Sequence, residues 1–252
     1  MESKAGGLRA ALLRLFPVTL VIAALFFVGF QNGYVRIQYP TRDDYPVRGV
    51  DVSRHQNEID WPALATGSEI DFAFMKASEG TDLRDPRFAE NWSEAKGQVA
   101  RSAYHFFTFC TPGEAQARNF LTAAPEAGEL PRAIDVEFSG NCTKWETEEQ
   151  IRTQLERFVE IVRAEDGRTP ILYVTKESYN RIVRGGFDGV PIWMREIVFR
   201  PSESDYPNLL FWQYAGTGRL EGVETLVDLN VFVGSRASFE KQLDEGAGTV
   251  ER

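Results

Sequence analysis

The residues whose types and spacing could do chemistry are concentrated in Leu130–Ser139, which reads Leu-Pro-Arg-Ala-Ile-Asp-Val-Glu-Phe-Ser. Side chains alternate faces along a strand, so Ile134, Val136 and Phe138 would point one way and Asp135 and Glu137 the other, roughly 6.5 to 7 Å apart along the backbone. Such a segment is apolar enough for a central strand, where acids are rarely kept unless paired or used. Two like charges that close push one pKa upward, the arrangement that acid catalysis on a glycoside needs. A solvated strand face or a salt-bridge partner is the plain alternative, and Asp-x-Glu alone does not decide between them.

Positioning these acids requires a regular scaffold, and the rest of the chain reads as one. Strands are predicted at Arg48–Val52, Phe72–Ala77, Val99–Phe107, Pro170–Val174, Val190–Met194, Leu210–Tyr214 and Leu226–Phe232, and helices between many of them. Asp85-Pro86 opens a helix through Lys96, another spans Pro112–Ala124, and Thr147-Glu-Glu-Gln150 has the form of a capping box ahead of Ile151, Leu155, Phe158, Val159 and Val162 at helical spacing. A short helix over 176–183 and a closing helix over 235–243 complete the pattern. Strands alternating with helices imply a mostly parallel sheet. Asp51, Lys76, Glu79 and Asp135 fall at strand C-termini, which suits a barrel with its site on that face. Helical signal fades after Val190, so the fold class is α/β: a modified, incomplete TIM-like β/α barrel, with hairpin-like strands late in the chain. Trp193, Trp212 and Gln213 are expected on one rim.

With 252 residues and 43% hydrophobic content the chain can bury one substantial core. A net charge of -9 without a basic stripe argues against a nucleic-acid partner. Two cysteines and two histidines, without zinc-ligand spacing, leave little for a metal site, and neither metal nor other cofactor is expected. Acids holding a hard divalent cation would be the metal-dependent alternative.

Leu15–Phe30 is an almost unbroken apolar run behind Lys4, Arg9 and Arg14, and it extends back across Arg14 to Leu12. Its length approaches the roughly 20 residues that span a bilayer, and the upstream basic residues place the N-terminus in the cytoplasm. Residues 1–11 therefore read as a cytoplasmic N-terminus, 12–30 as a transmembrane signal anchor, 31–47 as a linker, 48–243 as the catalytic domain and 244–252 as a disordered tail. The expected location is the cytoplasmic membrane, single-pass, with the domain outside; cleavage of the segment would make the protein secreted. No small-x-small cleavage site follows Phe27, so an uncleaved anchor is the expectation.

In order, Gly49-Val-Asp-Val-Ser-Arg-His-Gln56, Ile59-Asp-Trp61, Lys76-Ala-Ser-Glu-Gly80, Ala103-Tyr-His-Phe106, Gln116-Ala117 with Asn119-Phe120, Ile134-Asp-Val-Glu137 and Trp212-Gln-Tyr214 followed by Val227-Asp228 resemble the glycoside hydrolase family 25 lysozymes, the Chalaropsis-type N-acetylmuramidases. The resemblance covers about Gly49 to Phe239. It implies cleavage of the β-1,4 bond between N-acetylmuramic acid and N-acetylglucosamine in the glycan strands of peptidoglycan. It matches Glu137 to the proton donor, Asp135 to its partner acid, and Asp51 and Asp228 to two further acids around the cleft. Asp135 would act as nucleophile or would orient the substrate's own N-acetyl group, the latter preferred because the substrate carries that group. Tyr104, Tyr173, Trp193, Trp212 and Tyr214 would line the cleft, with Gln213 also binding sugar; for the aromatics a core position is the alternative. His105 is expected as a hydrogen-bonded wall residue rather than a base. The sequence departs from the family pattern after Trp193, where Trp-x-Ala-x-Tyr is replaced by Trp193-Met-Arg-Glu-Ile197, so that Arg195 would narrow or recharge a subsite. A monomer is expected. A membrane-tethered peptidoglycan-binding module without catalysis is the alternative function, and intact acids argue against it.

Cys110 follows the strand ending near Phe109 and Cys142 the strand ending near Phe138. If those strands are neighbours, both cysteines leave the same rim within disulfide reach, and an exported domain meets an oxidising compartment.

Overall fold

The computed structural model describes residues 2–142, 144 and 147–247, with side chains described from residue 16 to residue 244. Two compact units divide the chain, Met1–Arg36 and Ile37–Arg252. The first contains α1 (Glu2–Gln31), whose Leu20, Val21, Ile22, Leu25 and Phe27 are all more than half exposed. Among the described residues no helix is long and apolar enough to cross a membrane, and the first side chains of the span read over 12–30 lie outside them.

The second unit is a closed barrel. Its strands are β1 (Arg48–Val52), β2 (Phe72–Glu79), β4 (Ala100–Phe106), β5 (Ala133–Val136), β6 (Ile171–Thr175), β7 (Ile192–Arg195), β8 (Leu209–Gly218) and β9 (Val227–Phe232), with a two-residue β3 (Leu83–Arg84) hairpinned onto β2. Neighbours from β1 through β2 and β4 to β8 are parallel; β9 runs antiparallel to both β8 and β1 and closes the ring. The expected incompleteness thus lies in the outer layer. Residues 196–208 carry β7 to β8 without a helix, yet those two strands are parallel, and the late hairpin is β8–β9.

Alternation along each strand builds two apolar layers. Inward, Phe72, Phe74, Trp193, Phe211 and Phe232 fill the barrel below the rim. Phe72 passes so close to β1 that a Cβ on Gly49 would lie 2.2 Å from its ring, which is why the β1 position carries no side chain. Outward, Val50, Val52, Met75, Ile134, Val136, Leu172 and Val174 meet the buried faces of α2 (Trp61–Gly67), α4 (Gly113–Ala123) and α5 (Glu148–Asp166). The capping box on α5 is present, with Thr147 accepting from the Gln150 N–H and Gln150 reaching back to the Thr147 N–H, and Gly167 at φ 66° ends the helix. Tyr45 and Val47 are buried, so the end of the expected linker is part of the packed domain.

Three boundaries differ from expectation for local reasons. α3 covers only Phe88–Glu94, because the buried Asp85 carboxylate instead accepts from the Arg54 and Arg87 N–H groups, both at 2.9 Å. β5 is shorter than Leu130–Ser139: Pro131 lacks a donor at one end, and beyond Val136 the Glu137 carbonyl accepts from the Asn141 side chain. The closing helix, α6, runs over Arg236–Ala247, four residues beyond the predicted end; the rest of the expected disordered tail, 248–252, lies outside the described residues.

Candidate active site

The C-terminal rim of the parallel strands surrounds a cavity of about 650 Å³. Inward-facing positions at strand ends supply Asp51 from β1, Lys76 from β2, Tyr104 from β4, Asp135 from β5, Tyr173 from β6, and Trp193 and Arg195 from β7. Gln213 comes from β8. Because β9 runs the other way, its beginning lies at this rim, and Asp228 sits directly opposite Asp51 in the ladder.

One side of the cavity is a hydrogen-bonded chain of buried groups. The Tyr173 hydroxyl donates to Gln213 Oε1 at 3.0 Å, and Gln213 Nε2 donates to Asp51 Oδ2 at 2.8 Å. Asn230 Nδ2 donates to the same oxygen at 2.7 Å, while Trp193 Nε1 donates to Asn230 Oδ1 at 2.7 Å. Burial pushes Asp51 up to about 6 even against these two donors. Asp228 is pushed well above the ordinary carboxylate range by burial and by the Asp51 charge, and a hydrogen bond joins the two acids. Asp51 and Asp228 therefore titrate as one pair, with the protonated form favoured on the Asp228 side.

The other side carries the β5 acids. Asp135 is buried and its Oδ1 has no hydrogen-bond partner among the described residues. Burial, then the Glu137 charge, raises its pKa strongly. Glu137 lies one residue past the strand, only partly buried; burial raises it too, opposed by Arg195. Burial thus favours the protonated form of both carboxyls over that of an exposed acid. Lys76 approaches from β2, paired to Glu79 at 2.7 Å, as the rim salt bridge suggested by the sequence.

Eight of the ten residues expected at the site line this cavity. The exceptions are Trp212 and the Tyr214 ring beside it. Trp212 is buried outside the barrel, with Nε1 donating to the Glu196 carbonyl at 2.7 Å and its ring edge-on to Tyr45. Adjacent residues on a strand face opposite ways, so Gln213 facing the cleft sends Trp212 outward. Trp193 is enclosed, stacked on Phe74 with ring centroids 4.1 Å apart, and forms the floor. His105 also faces outward, between Phe120 and Phe158. Its Nδ1 lies 2.8 Å from Ser78 Oγ and its Nε2 3.2 Å from Gln116 Oε1; burial lowers its pKa to about 3, so it is neutral and no part of the cleft. Asn230 is the site residue that the sequence reading passed over. It stands two residues after Asp228, and that same-face spacing was the available signal.

Cys110 and Cys142 form the expected disulfide, with Cα atoms 6.3 Å apart. Its premise holds, since β4 and β5 are paired neighbours.

The model of the glycosyl hydrolases family 25 matches residues 50–223, more than half of the chain. The chain belongs to glycosyl hydrolase family 25. As a member it is a glycoside hydrolase, and the matched segment carries the whole rim up to β8. The chain is 34% identical over 209 residues to Lysozyme M1 of Streptomyces globisporus, covering 77% of this chain and 70% of that one. A family 25 glycosyl hydrolase from Bacillus anthracis superposes with a TM-score of 0.75 at 34% identity, covering 83% of this chain and 98% of the other. A lysozyme from Streptomyces coelicolor gives 0.70 at 30% identity, covering 79% and 98%.

Proposed function

We propose that this family 25 hydrolase is an N-acetylmuramidase acting on peptidoglycan: it cleaves the β-1,4 bond between N-acetylmuramic acid and N-acetylglucosamine, with Glu137 as proton donor and Asp135 assisting. The reading is supported above all by the unequal depth of the β5 acids. Glu137, the shallower, can reach a glycosidic oxygen in the cleft. Asp135, the deeper, keeps a buried oxygen without a partner, which an acetamido N–H of the substrate would satisfy. That bond favours the Asp135 anion, and the proton of the pair then resides on Glu137. Glu137 gives it to the leaving oxygen while the acetamido carbonyl oxygen closes on the anomeric carbon. Water next attacks that carbon, losing its proton to Glu137, and the sugar retains its configuration. The Asp51–Asp228 pair and the Tyr173–Gln213 chain hold the opposite wall.

Glu137→Gln should keep the fold and abolish clearing of purified cell walls in a turbidity assay, since the amide cannot deliver a proton. Activity above a tenth of wild type would contradict the role. Loss of wall binding and not of clearing alone would point instead to misfolding.

We further propose that α1 anchors the protein in the cytoplasmic membrane with the hydrolase outside. Support comes from its exposed apolar residues and from Lys4, Arg9 and Arg14 ahead of them. Fractionation should find the protein in membranes; a soluble product beginning near Gln31 would establish cleavage.

A further inference from the structure

The cleft continues past Glu137. A second cavity of about 350 Å³ shares Glu137, Ser139 and Arg195 with the first and extends along Thr175, Lys176 and Ile197. Two acids in its wall are already engaged. Glu177 is paired with Arg181 at 2.6 Å, and Glu196 Oε1 accepts from the Val198 and Phe199 N–H groups at 2.9 and 3.2 Å. Its two cations are not: among the described residues neither the Arg195 guanidinium nor the Lys176 ammonium has a hydrogen bond or a paired carboxylate. A protein of net charge -9 thus presents beside Glu137, in one side pocket, two cations without a hydrogen-bonded or ion-paired partner among the described residues, although the Arg195 charge also acts on Glu137, Asp51 and Asp228.

From this geometry we infer that the side pocket is a carboxylate subsite, in which Arg195 and Lys176 bind the acidic branch that the glycan carries at its muramic acid. The inference rests on the muramidase reading. Under that reading the muramic sugar sits at the bond Glu137 protonates, so its lactyl branch leaves beside Glu137. Plain hexosamine rings are neutral and offer these cations nothing. The branch offers a carboxylate, either the lactyl group's own or, where that is amidated, one on the attached stem peptide. An arginine fork matches a carboxylate with two parallel N–H donors, and lysine adds a point charge. Arg195 and Lys176 are then specificity-determining residues.

The test compares kcat/KM on four substrates with wild type, Arg195→Gln and Lys176→Gln: peptide-free glycan strands and peptide-bearing strands, each untreated and with carboxylates converted to methylamides. Every ratio is taken within one protein, so any change in Glu137 caused by losing Arg195 cancels. Wild type should prefer free carboxylate roughly five-fold, the scale of a partly exposed ion pair, and each variant should bring the ratio toward one. A preference on peptide-free strands assigns the lactyl carboxylate; one confined to peptide-bearing strands assigns the stem peptide. Equal rates in both pairs with wild type, or a preference that survives in both variants, overturns the inference. Hydrolysis of none of the four strands by wild type refutes the muramidase reading itself, and the inference with it.

Discussion

Removing the disulfide should separate stability from catalysis. Cys110–Cys142 spans 32 residues. The chain-entropy relation gives about 12 cal/mol/K for that loop, or roughly 3.7 kcal/mol at room temperature. For a domain of this size that is a fall in Tm of about 7–15 °C. The loop after Glu137 has a second clasp, however. Asn141 Oδ1 accepts from the Phe109 N–H at 2.9 Å, and Asn141 Nδ2 donates to the Phe107 and Glu137 carbonyls, both at 2.9 Å. Three such bonds are worth about 1 kcal/mol each and survive reduction. The Cys110→Ser/Cys142→Ser protein should therefore melt early yet keep kcat at 25 °C within a factor of about three. Asn141→Ala should do the reverse in kind: its disulfide stays, but Glu137 loses its register and kcat falls roughly ten-fold or more. Thermal unfolding and initial rates on dye-labelled cell wall measure both quantities. An unchanged Tm in the double-serine protein would refute the loop-entropy argument, and full activity in Asn141→Ala would refute its part in positioning Glu137.

Trp212→Phe should cost about 1 kcal/mol through the lost bond to the Glu196 carbonyl and leave KM within about two-fold, whereas Trp193→Phe should raise KM several-fold by disturbing the cleft floor and the Asn230 bond; equal effects on KM would put Trp212 back in the cleft. Stability should rise on mild acidification. Asp51, Asp135, Asp228 and Glu137 all have raised pKa values in the fold, so their favourable contribution is present below the ordinary carboxylate range and is lost as pH climbs through the folded values, about 6 for Asp51. Tm should be higher at pH 5 than at pH 7.5, and Asp51→Asn should flatten that slope; a Tm that rises from pH 5 to pH 7.5 would reverse the sign of the argument.

Much of the site was legible because alternation is a local rule. Asp135 and Glu137 on one face, acids collecting at strand ends and two cysteines in the loops after successive strands need only neighbouring residues to be seen. The same rule, applied across Trp212 and Gln213, forbade both from facing the cleft, and the count of aromatics near the rim hid that. Barrel closure was not legible, because β1 and β9 lie some 180 residues apart and nothing in either segment announces its partner. Nor was the joint titration of Asp51 and Asp228, which depends on that pairing. Asn230 shares a face with Asp228 two residues away, but that this face meets Asp51 followed only from the antiparallel β1–β9 pairing.

The most direct test of the central claim is the chemistry of the new ends. Purified peptidoglycan digested by the wild-type protein, reduced with borohydride and analysed by mass spectrometry should give fragments ending in reduced N-acetylmuramic acid, and Glu137→Gln should give none. Fragments ending in reduced N-acetylglucosamine, or cut only in the peptide stems, would contradict the account.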